Sequence, residues 1–312
     1  MRQLVMPDST GYPRLAELVR GCPGGAAVEI FTEPPETERE LAERIRGSAG
    51  VLRFFNSTPL DTGALLTARP ARVLVAGPVG NAVDLAAAEA AGIEVYDTPG
   101  LAAGTVAEFT LTLMLALAHR LPTGVGAGPG WHPTAGRDLA GRMLGVVGWG
   151  RIGSAVARLA VGVGMRVAAW SPSLDETTAR AAGVQRLELD ELLGSAHVVS
   201  LHLRAAPETT GIIDARRISL LRPDALLVNT ARADLLDMAE LRRRLTAGAL
   251  GGVALDVFDV EPLPADDLLR THPSALVTPH MAWMTDDAVE RFLAASIAFG
   301  VQGDDSLVRR LT

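Results

Sequence analysis

Residues 142–171 read Arg-Met-Leu-Gly-Val-Val-Gly-Trp-Gly-Arg-Ile-Gly-Ser-Ala-Val-Ala-Arg-Leu-Ala-Val-Gly-Val-Gly-Met-Arg-Val-Ala-Ala-Trp-Ser, and this stretch decides the fold. The short apolar run Met143 to Val147 has the pattern of a parallel strand covered on both faces. It ends in Gly148-Trp149-Gly150-Arg151-Ile152-Gly153, a complete G-x-G-x-x-G. Ser154 to Val163 carries helical spacing, and Arg166 to Trp170 is a second strand. Strand, glycine turn, helix and strand in that order form the dinucleotide-binding fingerprint, whereas glycines alone collect in any turn.

Each glycine has a separate task. Gly148 permits the tight turn, Gly150 lets backbone approach a pyrophosphate, and Gly153 lets the helix lie close to its strand. The free N–H groups and the positive dipole end at the helix start then attract the phosphates. About 20 residues on, an NAD-specific site has an acidic residue for the ribose hydroxyls. Here that place falls to Ser171, followed by Pro172. A serine accepts a hydroxyl and does not repel a 2′-phosphate, which tilts the reading from NAD(H) toward NADP(H).

Working outward, the chain has 312 residues, enough for two moderate domains. At 48% hydrophobic and 21% charged it suits a soluble globular protein. A net charge of −7 argues against nucleic acid as a partner. All 29 basic residues are arginines. Without lysine there is no Schiff base for pyridoxal phosphate and no P-loop lysine, which removes those two chemistries. One cysteine, Cys22, between Gly21 and Pro23, allows no internal disulfide. No His/Cys pattern suggests a metal. The N-terminal apolar run is too short for a signal peptide, and Thr105 to His119 is too short to span a bilayer. The expectation is a cytoplasmic protein without membrane contact.

Residues before the fingerprint alternate short strands (Gln3–Met6, Ala27–Phe31, Val51–Phe55, Arg72–Ala76, Glu94–Tyr96) with helical segments, an α/β unit on a parallel sheet. Pro99 and Gly100 break the alternation. Leu101 to Leu121 follows as a helix too apolar for a free surface, read as an interdomain or subunit contact. Pro122 to Gly136, with Trp131 and His132, reads as a Gly/Pro-rich loop. A second α/β unit starts with the fingerprint and a last helix covers Thr285 to Gly300. The expected fold is α/β, two Rossmann-like doubly wound lobes with a cleft between them. Residues 1–98 plus 285–312 would form a substrate-binding domain and 99–284 the dinucleotide-binding domain.

Ligands bind open α/β sheets at the carboxyl ends of their strands, so chemistry is sought there in the second lobe. Arg232 follows the strand Ala225 to Val228 and suits a carboxylate clamp. Asp256 is an acid inside an apolar strand and needs a partner. Glu261 lies just beyond, and His280 ends the strand Ala275 to Pro279. Spacing alone does not pair Glu261 with His280.

Taken together the motifs resemble the D-isomer-specific 2-hydroxyacid dehydrogenases, the family of glyoxylate/hydroxypyruvate reductases and of phosphoglycerate dehydrogenases, here without a regulatory domain. The resemblance is carried by Gly145 to Gly153, Val198-Val-Ser-Leu-His-Leu203, Leu227-Val-Asn-Thr-Ala-Arg232, Ala254-Leu-Asp-Val-Phe-Asp-Val-Glu-Pro-Leu-Pro264, Val277-Thr-Pro-His280 and Thr105-Val-Ala-Glu108. It implies a reductase converting a small 2-oxo acid to the (R)-2-hydroxy acid with NAD(P)H. Arg232 would bind the substrate carboxylate, His280 would give the proton, and Glu261 would orient His280. Arg151, Ile152 and Thr230 would line the cofactor site, Asp256 would meet the nicotinamide carboxamide, and His202 would lie behind the cofactor. The family also implies a homodimer, through Leu101 to Gly136.

Three places depart from the family pattern. Ala233 and Asp234 follow Arg232 where glycine is usual, Arg204 stands where proline is usual, and Trp283 replaces a smaller residue. Competing readings are a non-catalytic NAD(H)-sensing protein like the related corepressors, and a methyltransferase using S-adenosylmethionine. The full three-glycine turn and the late His280 disfavour the second. Related formate dehydrogenases have glutamine in place of Glu261.

Overall fold

A computed structural model describes residues 4–80, 82–121 and 134–312 of the chain. Trp131, His132 and most of the loop read at Pro122 to Gly136 lie outside the described residues. The chain forms two compact units, Met1–Ala102 with Met284–Thr312, and Ala103–Trp283.

In the first unit, β1 (Leu4–Met6), β2 (Val28–Ile30), β3 (Val51–Phe54), β4 (Arg72–Ala76) and β5 (Glu94–Asp97) alternate with α1 (Leu15–Gly21), α2 (Glu38–Ile45), α3 (Thr62–Ala68) and α4 (Leu85–Ala90). The strand order β2-β1-β3-β4-β5 is one of the two common doubly wound orders. Every residue of β1 and β3 is buried, as expected for strands with helices on both faces. The long C-terminal helix of this unit, Asp286–Gln302, is capped by Thr285, whose hydroxyl accepts the Ala288 N–H, and ends at Gly303 with φ +79°. It buries Phe292, whose ring stands edge-on to Phe55 at 6.0 Å.

The sheet is not wholly parallel, contrary to the sequence expectation. A last strand at Arg309–Arg310 pairs antiparallel with β5. Two arginines carry no strand signal. The pairing is tertiary: the Arg309 guanidinium donates to both oxygens of the fully buried Asp97, at 2.9 and 2.6 Å.

In the second unit, α5 (Ala103–Ala118) leads into β6 (Met143–Val147), α6 (Arg151–Gly162), β7 (Arg166–Trp170), α7 (Glu176–Ala181), β8 (Gln185–Arg186), α8 (Leu189–Ser195) and β9 (Val198–Leu201). Then come α9 (Ala215–Leu220), β10 (Leu226–Asn229), α10 (Met238–Thr246), β11 (Gly252–Leu255) and β12 (Ala275–Val277). The order β12-β11-β10-β9-β6-β7-β8 winds outward from β6 in both directions, so the switch point lies between β6 and β9. The apolarity of α5 is used inside this unit. Val106, Ala107, Leu113, Met114 and Leu117 are buried, and the helix packs on α6, β10 and β11.

Register aligns the strand ends. Trp170, Val147, Leu201, Asn229, Leu255 and Val277 are successive neighbours across β7, β6, β9, β10, β11 and β12. The residues that follow them, Ser171, Gly148, His202, Thr230, Asp256 and Thr278, therefore form one row along the carboxyl edge of the sheet.

Candidate active site

The turn after β6 has the geometry its glycines require. Gly148 has φ +105°, and a Cβ there would lie 2.6 Å from the His202 carbonyl carbon. A Cβ on Gly153 would lie 2.0 Å from the Gly148 carbonyl oxygen, so only glycine lets α6 sit this close to β6. A Cβ on Gly150 would meet no atom within 4 Å. Packing does not demand glycine there, and the open space is what a pyrophosphate needs. Asp or Thr side chains cap α2, α3, α4, α7, α9, α10 and the C-terminal helix. α6, like α1 and α8, has no side-chain cap; its N-cap is Gly150, which leaves first-turn N–H groups for an anion. These residues fit a dinucleotide.

Arg151 opens α6 with an exposed side chain, whereas Ile152 is partly buried against the core. Ser171 is buried, with its Oγ 3.5 Å from Ser173 Oγ. The nearest acid downstream, Asp175, is occupied as the cap of α7, accepting the Thr178 N–H at 2.6 Å. His202 donates its backbone N–H to Val147, and its Nε2 lies 2.8 Å from Ser200 Oγ. Burial pushes its pKa down to about 3, so the ring is neutral.

Thr230 is buried, and its hydroxyl lies 2.8 Å from that of Thr110 on α5. Thr110 gives its own proton to the Val106 carbonyl at 2.7 Å, so Thr230 is the donor in this pair. Beside it, the Asn229 amide braces the turn that presents Arg232. Its Nδ2 donates to the Arg232 carbonyl at 2.8 Å, and its Oδ1 accepts the Ala231 N–H at 3.0 Å. Sequence reasoning gave Asn229 no role. The available signal was an amide at the end of an apolar run, which needs partners when buried. Arg232 itself is exposed, and the one described hydrogen bond of its side chain runs to the neighbouring Ala231 carbonyl. No carboxylate among the described residues pairs with it, so the guanidinium is available to an anion.

His280 and Glu261 meet. The imidazole Nδ1 lies 2.9 Å from Glu261 Oε2, and Glu261 Oε1 accepts the Phe258 N–H at 3.0 Å. The structure corrects the reading of His280 as the end of a strand. β12 stops at Val277, because Pro279 lacks the N–H that would continue pairing. His280 has φ +52°, a conformation costing a non-glycine residue roughly 1–2 kcal/mol. Its backbone N–H turns back to the Thr278 carbonyl at 3.0 Å.

Asp256 likewise lies outside its expected strand, one residue beyond the end of β11. It is fully buried. Oδ1 accepts from Thr278 Oγ1 at 2.6 Å and from the Met281 N–H at 2.9 Å, and Oδ2 accepts the Ala282 N–H at 2.8 Å. Burial raises its pKa, and these hydrogen bonds and the nearby His280 oppose the rise. Arg204 is exposed at the edge, with its carbonyl accepting Thr209 Oγ1. Among the described residues no His/Cys/Asp/Glu group could hold a metal ion, and no helix is long and apolar enough to cross a membrane.

Comparison with known proteins gives the same direction. The model of the D-isomer specific 2-hydroxyacid dehydrogenase NAD-binding domain matches residues 111–282. A glyoxylate reductase of Korarchaeum cryptofilum is 34% identical over 259 residues, 80% of this chain and 78% of the relative. A D-3-phosphoglycerate dehydrogenase of Mycobacterium tuberculosis is 32% identical over 289 residues, 90% of this chain but 54% of the relative. The chain thus spans about half the length of that enzyme. Among solved structures, the TT0316 protein of Thermus thermophilus is 33% identical, with a TM-score of 0.79 and 97% of each chain covered. A D-lactate dehydrogenase from Sporolactobacillus is 26% identical, with a TM-score of 0.82, covering 99% of this chain and 98% of that one. A family model over more than half of the sequence, together with full-length structural likeness, places the chain: it belongs to the D-isomer specific 2-hydroxyacid dehydrogenase family.

Proposed function

We propose that the protein reduces a small 2-oxo acid to the (R)-2-hydroxy acid, with His280 as the proton donor. The bound nicotinamide cofactor supplies the hydride. The observation that carries this reading is the His280–Glu261 contact at the carboxyl edge of the sheet that bears the three-glycine turn. Glu261 engages Nδ1 and leaves Nε2 to deliver a proton to the substrate's carbonyl oxygen. The contact also holds the ring in one orientation for the transfer. Arg232 clamps the substrate carboxylate through paired hydrogen bonds.

Gly148, Gly150 and Gly153 shape the pyrophosphate seat, with Arg151, Ile152, Ser171 and Thr230 around it. Ser171 in place of an acid supports use of NADP(H) as well as NAD(H), with a tilt to NADP(H). Glyoxylate, and in the reverse direction 3-phosphoglycerate, are the first candidate substrates, from the relatives' names. A homodimer and a cytoplasmic location complete the reading. The test is a panel of 2-oxo acids, small, bulky and phosphorylated, run with NADH and with NADPH. Turnover of at least one acid supports the reading; none with either cofactor rejects it.

A further inference from the structure

We propose that Arg204 binds the 2′-phosphate of NADP(H), reaching it from the loop after β9, on the opposite side of the glycine turn from Ser171. This inference rests on the proposed dinucleotide site and names the side chain that sets its choice between NADPH and NADH.

The glycine turn places the two residues. The Gly148 N–H donates to the Trp170 carbonyl at 2.7 Å, which ties the turn to the end of β7. On its other side the turn abuts the loop after β9. A Cβ on Gly148 would lie 2.6 Å from the His202 carbonyl carbon and 2.8 Å from the Leu203 nitrogen. Ser171 is the residue after Trp170, and Arg204 is the residue after Leu203. Each stands one residue, at most ~3.6 Å of chain, beyond a contact with the same turn. The switch point between β6 and β9 opens at this place, and dinucleotides bind across such a crevice.

The backbone of Arg204 is held, and its charge is not. Thr209 Oγ1 donates to the Arg204 carbonyl at 2.6 Å and accepts the Ala206 N–H at 3.0 Å, which closes the loop on itself. The side chain is exposed, and among the described residues its guanidinium has no hydrogen bond and no ion pair, not even with Glu208 four residues on. A guanidinium presents its donors in a planar fork that matches a phosphate, whereas the proline usual in the family offers neither donor nor charge. Two departures thus flank one turn and point to one ligand group: Ser171 removes the acid that would repel a 2′-phosphate, and Arg204 adds the cation that would hold it. The other anions of the reaction have their own seats, the pyrophosphate at the start of α6 and the substrate carboxylate at Arg232.

The test titrates NADPH and NADH into the full chain by nicotinamide fluorescence, with adenosine 2′,5′-bisphosphate and adenosine 5′-monophosphate as competitors. In Arg204→Gln the Kd for NADPH should rise roughly tenfold or more, the scale of a hydrogen bond to a charged group, and the Kd for NADH by less than about threefold. The bisphosphate should lose its advantage over the monophosphate in the same variant. Arg204→Lys keeps the charge without the fork and should recover part of the NADPH affinity. Equal weakening of both cofactors assigns Arg204 to a part they share and overturns the proposal. So does an Arg204→Gln variant that binds NADPH as the parent does. A parent that binds NADH and not NADPH also overturns it, while leaving the reductase reading in place. A parent that binds both cofactors and reduces no 2-oxo acid defeats that reading, and the two Kd values still decide the role of Arg204. A parent that binds neither defeats both.

Discussion

Glu261 grips the His280 imidazole with one oxygen and its own loop with the other: Oε2 lies 2.9 Å from His280 Nδ1, and Oε1 accepts the Phe258 N–H at 3.0 Å. The carboxylate is therefore fixed before it fixes the ring. Glu261→Gln keeps the shape, loses the charge, and leaves the amide to choose between its two partners. Its kcat for 2-oxo acid reduction should fall about 10–10²-fold, part of the ~10²–10⁴ that a positioned acid contributes. Steady-state kinetics at saturating cofactor checks this; a loss expressed only in KM would mean that Glu261 serves binding instead.

The fingerprint glycines separate into two kinds. Gly150→Ala places its Cβ in open space at an ordinary φ of −108°, so thermal stability should hold while affinity for the dinucleotide falls. Gly153→Ala drives its Cβ to 2.0 Å from the Gly148 oxygen, and should cost about 1–3 kcal/mol of stability through overpacking. Melting curves and cofactor titration on the pair distinguish the two. If both lose stability alike, the open space at Gly150 is not there in solution.

The proposed function puts the 2′ position of the cofactor at Ser171. Ser171→Asp adds a charge that repels a 2′-phosphate and can accept a ribose hydroxyl. The KM for NADPH should rise more than the KM for NADH. An equal change in both would show that the loop after β7 does not read this position.

Half-buried His202, desolvated by the residues packed on it, makes stability depend on pH. Its folded pKa, about 3, lies below the unfolded value of about 6.5. The unfolded chain then binds the proton first, so the stability held above pH 6.5 is lost as the pH falls toward 3. His202→Gln removes this contribution. Between pH 7 and pH 4 the variant's melting temperature should drop less than that of the parent chain; an identical drop would place the ring in a wetter setting.

The sequence made the second unit's frame legible because its signals are local. A five-residue apolar strand, three glycines at fixed offsets and an amphipathic helix each carry their own message, and β6 and β7 have their expected bounds while α6 begins three residues before Ser154 and ends one before Val163. The strand pattern put Arg232, Glu261 and His280 near carboxyl ends, and the family resemblance paired the last two, which spacing alone could not do. They lie 19 residues apart on different loops, and only the sheet register brings those loops together. Asp256 reads as a strand residue because apolar residues flank it, and its bonds to Met281 and Ala282 are invisible without the fold. Arg309–Arg310 forms a strand only because Asp97 is waiting in the neighbouring one. In each case the missing part is a contact between segments distant in the chain, which periodicity does not encode.

The most direct measurement is consumption of reduced cofactor with the best 2-oxo acid of the panel, by the parent chain and by His280→Ala, with cofactor binding measured in parallel. The account predicts turnover by the parent, a loss of at least about 10²-fold in the variant, and nearly equal cofactor affinity in both. A variant that reduces the acid at the parent's rate, or a parent that binds the cofactor and reduces no 2-oxo acid, would contradict it.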